Sequence, residues 1–159
     1  MSSSSRSLKF WISAWLPVVI GIGVIMMEST EFFGANHTNG PLRRLWESLF
    51  GPVGNLQWNQ IHRLIRKCGH FFGYGFIGMA WLRAWWMTLA HSHFLEDAFL
   101  ALIGTSLVAS LDELHQSYLP NRTGSPWDVL LDCAGAISLQ LVLYLYLRLM
   151  RPRRLARAE

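Results

Sequence analysis

Four apolar runs, at residues 10–27, 68–89, 94–114 and 126–150, constrain this chain more than anything else in it. A bilayer core about 30 Å thick takes about 20 residues of helix to cross, and each run is near that length. Composition agrees: 52% of residues are hydrophobic and 15% charged, where a soluble domain carries about 25% charge. The predicted fold is therefore all-α, an integral membrane four-helix bundle forming a single domain over residues 1–159. The run at 10–27 lacks the form of a cleavable signal, since Glu28 follows it rather than a small-residue cleavage site.

The net charge of +4 does not point to nucleic acid, because no aromatic–basic platform or groove-reading motif is present. The basic residues flank the apolar runs instead. With four crossings both termini share one side. That side holds Arg6, Lys9, Arg83, Arg148 and the basic tail at 151–159. The other holds Arg43, Arg44, Arg63, Arg66, Lys67 and Arg122. The denser C-terminal cluster places both termini in the cytoplasm. Residues 28–67 then form an external loop. Within it Leu42, Leu45, Trp46, Leu49 and Phe50 fall on one face of a short amphipathic helix that starts at Pro41 and stops at Gly51. Such a helix lies in the membrane interface or covers the outer ends of the spans.

Under this topology the outer ends collect polar groups. Span one ends in Glu28 and Glu31. Span two opens with Lys67, His70 and Tyr74 on one helical stripe. Span three ends with Asp112, His115 and Gln116 on one face and Glu113 about 100° round from them. Span four starts beyond Arg122 with Asp128 and Asp132 one turn apart. Ionisable groups in a membrane helix are costly, so the economical arrangement turns them inward, toward each other or water. Gly69 and Gly73 form a small-xxx-small pair suited to close helix approach, and Gly75, Gly78 and Gly135 add flat surface.

Several chemistries fit these residues. Asp128 is a helix-start carboxylate behind an N-cap at Ser125 and Pro126 at the first helical position. Arg122 is a solvated loop residue, a partner of Glu113, or a clamp for phosphate or carboxylate. His70 with Glu113 or Asp112 would make an acid–base pair, with His115 as a further candidate. No cofactor is predicted. A divalent metal is a weaker alternative, because the spacing of Asp112, Glu113 and His115 matches no zinc motif. Ser110, Ser117 and Thr123 lack any nucleophile elbow. His91 and His93 read as interfacial residues of the cytoplasmic turn. Cys68 and Cys133 read as small apolar residues, although a disulfide on an oxidising side is an alternative. The sequons at Asn36 and Asn121 lie on the outer side.

The blocks "RKCGHFFGYGFIG" and "LDELHQSYLPNRTGSPWDVLLDCAGA", about 40 residues apart, resemble the VanZ-like family of small bacterial membrane proteins. The resemblance rests on Lys67, His70, Phe71 and Tyr74, then on Asp112, Glu113, His115 and Gln116. It continues through Arg122, Thr123, Gly124, Ser125 and Asp128, with Asp132 and Gly135 following in register. It covers about residues 66–145. It departs at span one, where "MMEST" replaces a Ser-rich end. The resemblance implies a multi-pass protein of the bacterial inner membrane with its polar site outside. The founding member is associated with teicoplanin resistance, a role that does not transfer by resemblance alone. Two expectations follow. In the first, Lys67, Tyr74, Gln116, Arg122, Asp128, Asp132 and Glu28 bind an envelope component, a lipid-linked phosphate or a cell-wall precursor. In the second, His70, Glu113, Asp112 and His115 serve a hydrolase or transferase acting on such a lipid. A transporter has less support, since the inner halves of the spans offer no ionisable path. The sequence does not fix the oligomeric state.

Overall fold

The computed structural model describes residues 6–89, 93–120, 122 and 124–150. His91, Asn121, Thr123 and the basic tail lie outside the described residues. Those described form five α-helices and one 3-10 turn, with no strand among them. Helix α1 (Leu8–Glu28) is followed by the 3-10 turn Glu31–Phe33, α2 (Ala35–Phe50), α3 (Asn55–Thr88), α4 (Phe94–Ser117) and α5 (Pro126–Met150). The expected limits of the first, third and fourth runs agree with α1, α4 and α5 to within three residues. These three helices are long and apolar enough to cross a membrane.

Helix α3 is different. It begins at Asn55, well before the expected start at Cys68, and runs 34 residues without a break. Its polar first half, "NLQWNQIHRLIRK", holds Arg and Gln, which are good helix formers despite their polarity. Its apolar half is diluted by four glycines, His70, Tyr74 and Arg83, so length and composition alone do not mark it as a crossing. Yet α3 packs against α1, α4 and α5 together. All four of these helices turn apolar side chains outward: Val19, Phe76, Leu107 and Val142 are each more than half exposed. Apolar surface on that scale suits a lipid surround.

Two arginines tie α1 to α3. Pro17 lacks an N–H, so the Ser13 carbonyl one turn back loses its helical donor. The Arg83 guanidinium of α3 supplies one, donating to the Ser13 oxygen at 2.7 Å. Reciprocally, Arg6 donates to the Met87 and Thr88 carbonyls at the end of α3, at 3.0 and 2.7 Å. Replacing Arg83 with Met keeps the apolar stem and orphans the Ser13 carbonyl, at a cost of about 2 kcal/mol. For a chain of this size that lowers the melting midpoint in detergent by roughly 4–8 °C. Adding Pro17→Ala restores the N–H and shrinks the loss. An equal loss with and without Pro17 would refute the tie.

Helices α3 and α5 approach each other very closely. A Cβ on Gly135 would lie 2.0 Å from the Phe71 carbonyl oxygen, and one on Gly78 would lie 2.7 Å from the Ala136 Cβ. Gly69 and Gly73, expected to serve close approach, do not: a Cβ on either meets nothing within 4 Å. They border an open groove between α1 and α3, where Pro17, Ile20 and Phe76 leave about 600 Å³ unfilled.

Helix α2 also departs from expectation. It starts at Ala35, not Pro41, so Pro41 sits inside it. Contacts with α3 hold its early turns: the Thr38 hydroxyl lies 3.2 Å from His62 Nε2, and the Trp58 indole N–H donates to the Asn39 side chain. The stop at Gly51 is as expected, at a φ of 89° that disfavours any residue with a Cβ. Arg43 locks the α2–α3 corner, bonding Glu47, Asn55 and the Val53 carbonyl at 2.7–2.8 Å. Leu42 and Trp46 are half-buried, while Leu45, Leu49 and Phe50 remain exposed, so much of the apolar face of α2 is left uncovered by the other described residues.

Candidate functional site

Three rungs join α3 to its neighbours. Lys67 Nζ lies 3.0 Å from Asp128 Oδ1 on α5. One turn on, His70 Nδ1 lies 3.5 Å from Asp132 Oδ1. A further turn on, the Tyr74 hydroxyl donates to Asp112 Oδ2 on α4 at 2.9 Å. Lys67 and His70 of the α3 stripe thus meet the 128–132 stripe of α5 while Tyr74 turns to α4, and a close Gly135–Phe71 approach lies at the same level. Burial increases along the rungs: the Lys67 side chain is 58% exposed, that of His70 27%, and Tyr74 2%.

From Asp112 a chain of hydrogen bonds leads to α1. Gln116 donates to Asp112 Oδ2 at 3.0 Å, and Arg122 donates to the Gln116 side-chain oxygen at 3.4 Å. Arg122 also donates to the backbone carbonyls of Glu28 and Thr30, at 2.5 and 2.8 Å. It therefore staples the end of α1 to the α4–α5 connection. This is neither a solvated loop residue nor a partner of Glu113. Burial, followed by Arg66, pulls its pKa below the ordinary arginine value. Glu113 instead accepts the Ser125 N–H at 2.7 Å and so caps the start of α5 from the neighbouring helix. The connection crosses α4 so closely that a Cβ on Gly124 would lie 2.1 Å from the Glu113 carbonyl oxygen. Ser125 caps α5 as expected, its hydroxyl accepting the Trp127 N–H at 3.2 Å.

These residues surround two cavities. The larger, about 320 Å³, is lined by Arg63, Arg66, Lys67, His70, Glu113, Gln116, Arg122 and Asp128, with Ala35 at the start of α2 and Leu131. The smaller, about 20 Å³, has Glu28, Ser29, His70, Tyr74, Asp112 and Gln116 in its wall. His70 and Gln116 belong to both. Glu28 also borders the smaller cavity, and its bond with Arg122 is through its backbone carbonyl. His115 is exposed and faces a groove against Ile22 and Met26 of α1, away from the larger cavity. Cys68 and Cys133 are free thiols. Arg63 and Arg66 are cavity residues that the motif reading left aside. They were legible: 63, 66, 67 and 70 continue the same helical stripe toward the start of α3.

The family model described as VanZ/LLP1 matches residues 14–148, most of the chain. The chain belongs to the VanZ-like family. No curated protein and no solved structure matches it. The matched span takes in α2 to α4 whole, most of α1 and nearly all of α5, so the VanZ-like unit includes the rungs, the arginine staple and both cavities. With three apolar helices, this is a VanZ-like membrane protein.

Proposed function

We propose that this VanZ-like protein is a four-span bundle of the bacterial inner membrane, with α3 as the enclosed span and both termini cytoplasmic. Its larger cavity binds the anionic headgroup of an envelope amphiphile, a lipid-linked phosphate or a cell-wall precursor. The observation that carries this reading is the cavity wall. Arg63, Arg66, Lys67 and Arg122 outnumber Glu113 and Asp128 there, at the end where the apolar helices stop. Guanidinium groups match phosphate and carboxylate geometry, and the lipid tail would remain in the bilayer. The test is binding of a polyprenyl phosphate to the protein in nanodiscs. Arg66→Gln with Lys67→Gln is expected to weaken binding at least tenfold, and raised salt to weaken the parent protein. Equal binding by parent and double variant would reject the reading.

A second reading, hydrolysis of such a lipid, draws on one arrangement. His70 reaches the cavity with the buried Asp132 behind its other ring edge. There His70 would accept the proton of a water attacking the phosphate ester and pass it to the departing alcohol. Turnover that survives His70→Ala would reject it.

A further inference from the structure

We propose that His70, Asp112 and Glu113 form a divalent-cation site in the wall between the two cavities. One ligand atom from each lies within 4.8 Å of the other two. Three such atoms share a point no more than about 2.8 Å from each, and zinc bonds to imidazole and carboxylate are about 2.0–2.2 Å, so small side-chain rotations close the site.

Acidic clustering alone would not carry this, and two further observations do. Asp112 is 8% exposed, and its Oδ2 is committed to Tyr74 and Gln116 while its buried Oδ1 has no hydrogen-bond partner. An unpaired carboxylate oxygen in a membrane bundle is expensive, and a cation is the natural counterpart. The second observation lies behind His70. Its Nδ1 lies 3.5 Å from Oδ1 of the fully buried Asp132, and neither that nitrogen nor either Asp132 oxygen has a hydrogen-bond partner among the described residues. A ligating histidine presents one nitrogen to the metal and gives the other N–H to a carboxylate. Asp132 is thus a positioning residue, and His70 Nε2 is the nitrogen left to ligate.

One imidazole and two carboxylates suit zinc or manganese better than calcium, which takes an all-oxygen set. Three protein ligands leave a coordination position open. His70 and Glu113 both line the larger cavity, so that position faces the space assigned to the anionic headgroup. The cation site stands without that assignment. It also competes with the hydrolytic reading, since metal and proton would use the same His70 lone pair.

The test uses the full chain, purified without a polyhistidine tag, stripped with chelator and loaded with Zn²⁺ or with Co²⁺ as a spectroscopic probe. One zinc per chain is expected, together with a cobalt absorption spectrum of imidazole–carboxylate type. His70→Gln and Asp112→Asn should each reduce bound metal to background while helicity is retained. Asp132→Asn should keep the site and weaken it 10- to 100-fold. No retained metal, or metal unaffected by His70→Gln and Asp112→Asn, overturns the proposal. The Arg66→Gln, Lys67→Gln protein separates the two ideas: it should lose polyprenyl-phosphate binding and keep its zinc.

Discussion

Replacing Gly135 with alanine drives α5 off α3. The new methyl group would sit 2.0 Å from the Phe71 carbonyl oxygen, and a backbone oxygen cannot rotate away as a side chain can. Overpacking of this kind costs about 3 kcal/mol, and more where main chain must shift. The melting midpoint in detergent should fall by roughly 6–12 °C. The loss should reach the polar rungs, because Asp132 lies one turn before Gly135 on the same helix. Gly69→Ala is the matched control. It adds the same methyl to the same kind of helix where nothing stands within 4 Å, so it should be neutral or mildly stabilising. Equal melting points for the two variants would contradict the close contact between α3 and α5.

The second large effect belongs to Arg122. Alanine there removes donors from the Glu28 and Thr30 carbonyls and from Gln116 at once. Hydrogen bonds from a charged donor are worth about 1.5–3 kcal/mol each where well formed, and the 3.4 Å bond to Gln116 counts for less. A total near 3 kcal/mol is expected, with faster hydrogen exchange at residues 28–34 and 117–120 than in the parent. Both carbonyls accept from one nitrogen, Nη2, while Nη1 reaches Gln116. Lysine keeps the charge but has a single ammonium on a different stem in place of the rigid two-nitrogen fork, so Arg122→Lys should recover less than half of the loss. Full recovery by lysine would show that charge, rather than the staple, matters at this position.

Much of this was legible before any coordinates. Apolar run length placed α1, α4 and α5, because a crossing helix must cover its own backbone and fill a fixed thickness. The 3.6-residue period put Lys67, His70 and Tyr74 on one stripe and Asp128 with Asp132 on another. What the period could not supply was the pairing. That depends on the axial offset of two helices. Helix α2 was missed over its first turns because "ANHTNG" is poor in helix formers and Pro41 resembles a start. Asn39 and Thr38 are held there by Trp58 and His62, residues of another helix. The role of Arg122 was hidden because its acceptors are main-chain carbonyls, which no residue type announces.

The three rungs differ in what they can neutralise. Lys67 offers a permanent positive charge near the rim, His70 a charge that depends on its proton, and Tyr74 only a hydrogen bond. A negatively charged group descending the face of α3 would therefore meet a steadily poorer counter-ion. The protein thus sets a floor for negative charge at the level of His70, and an anion below it would settle only at a penalty.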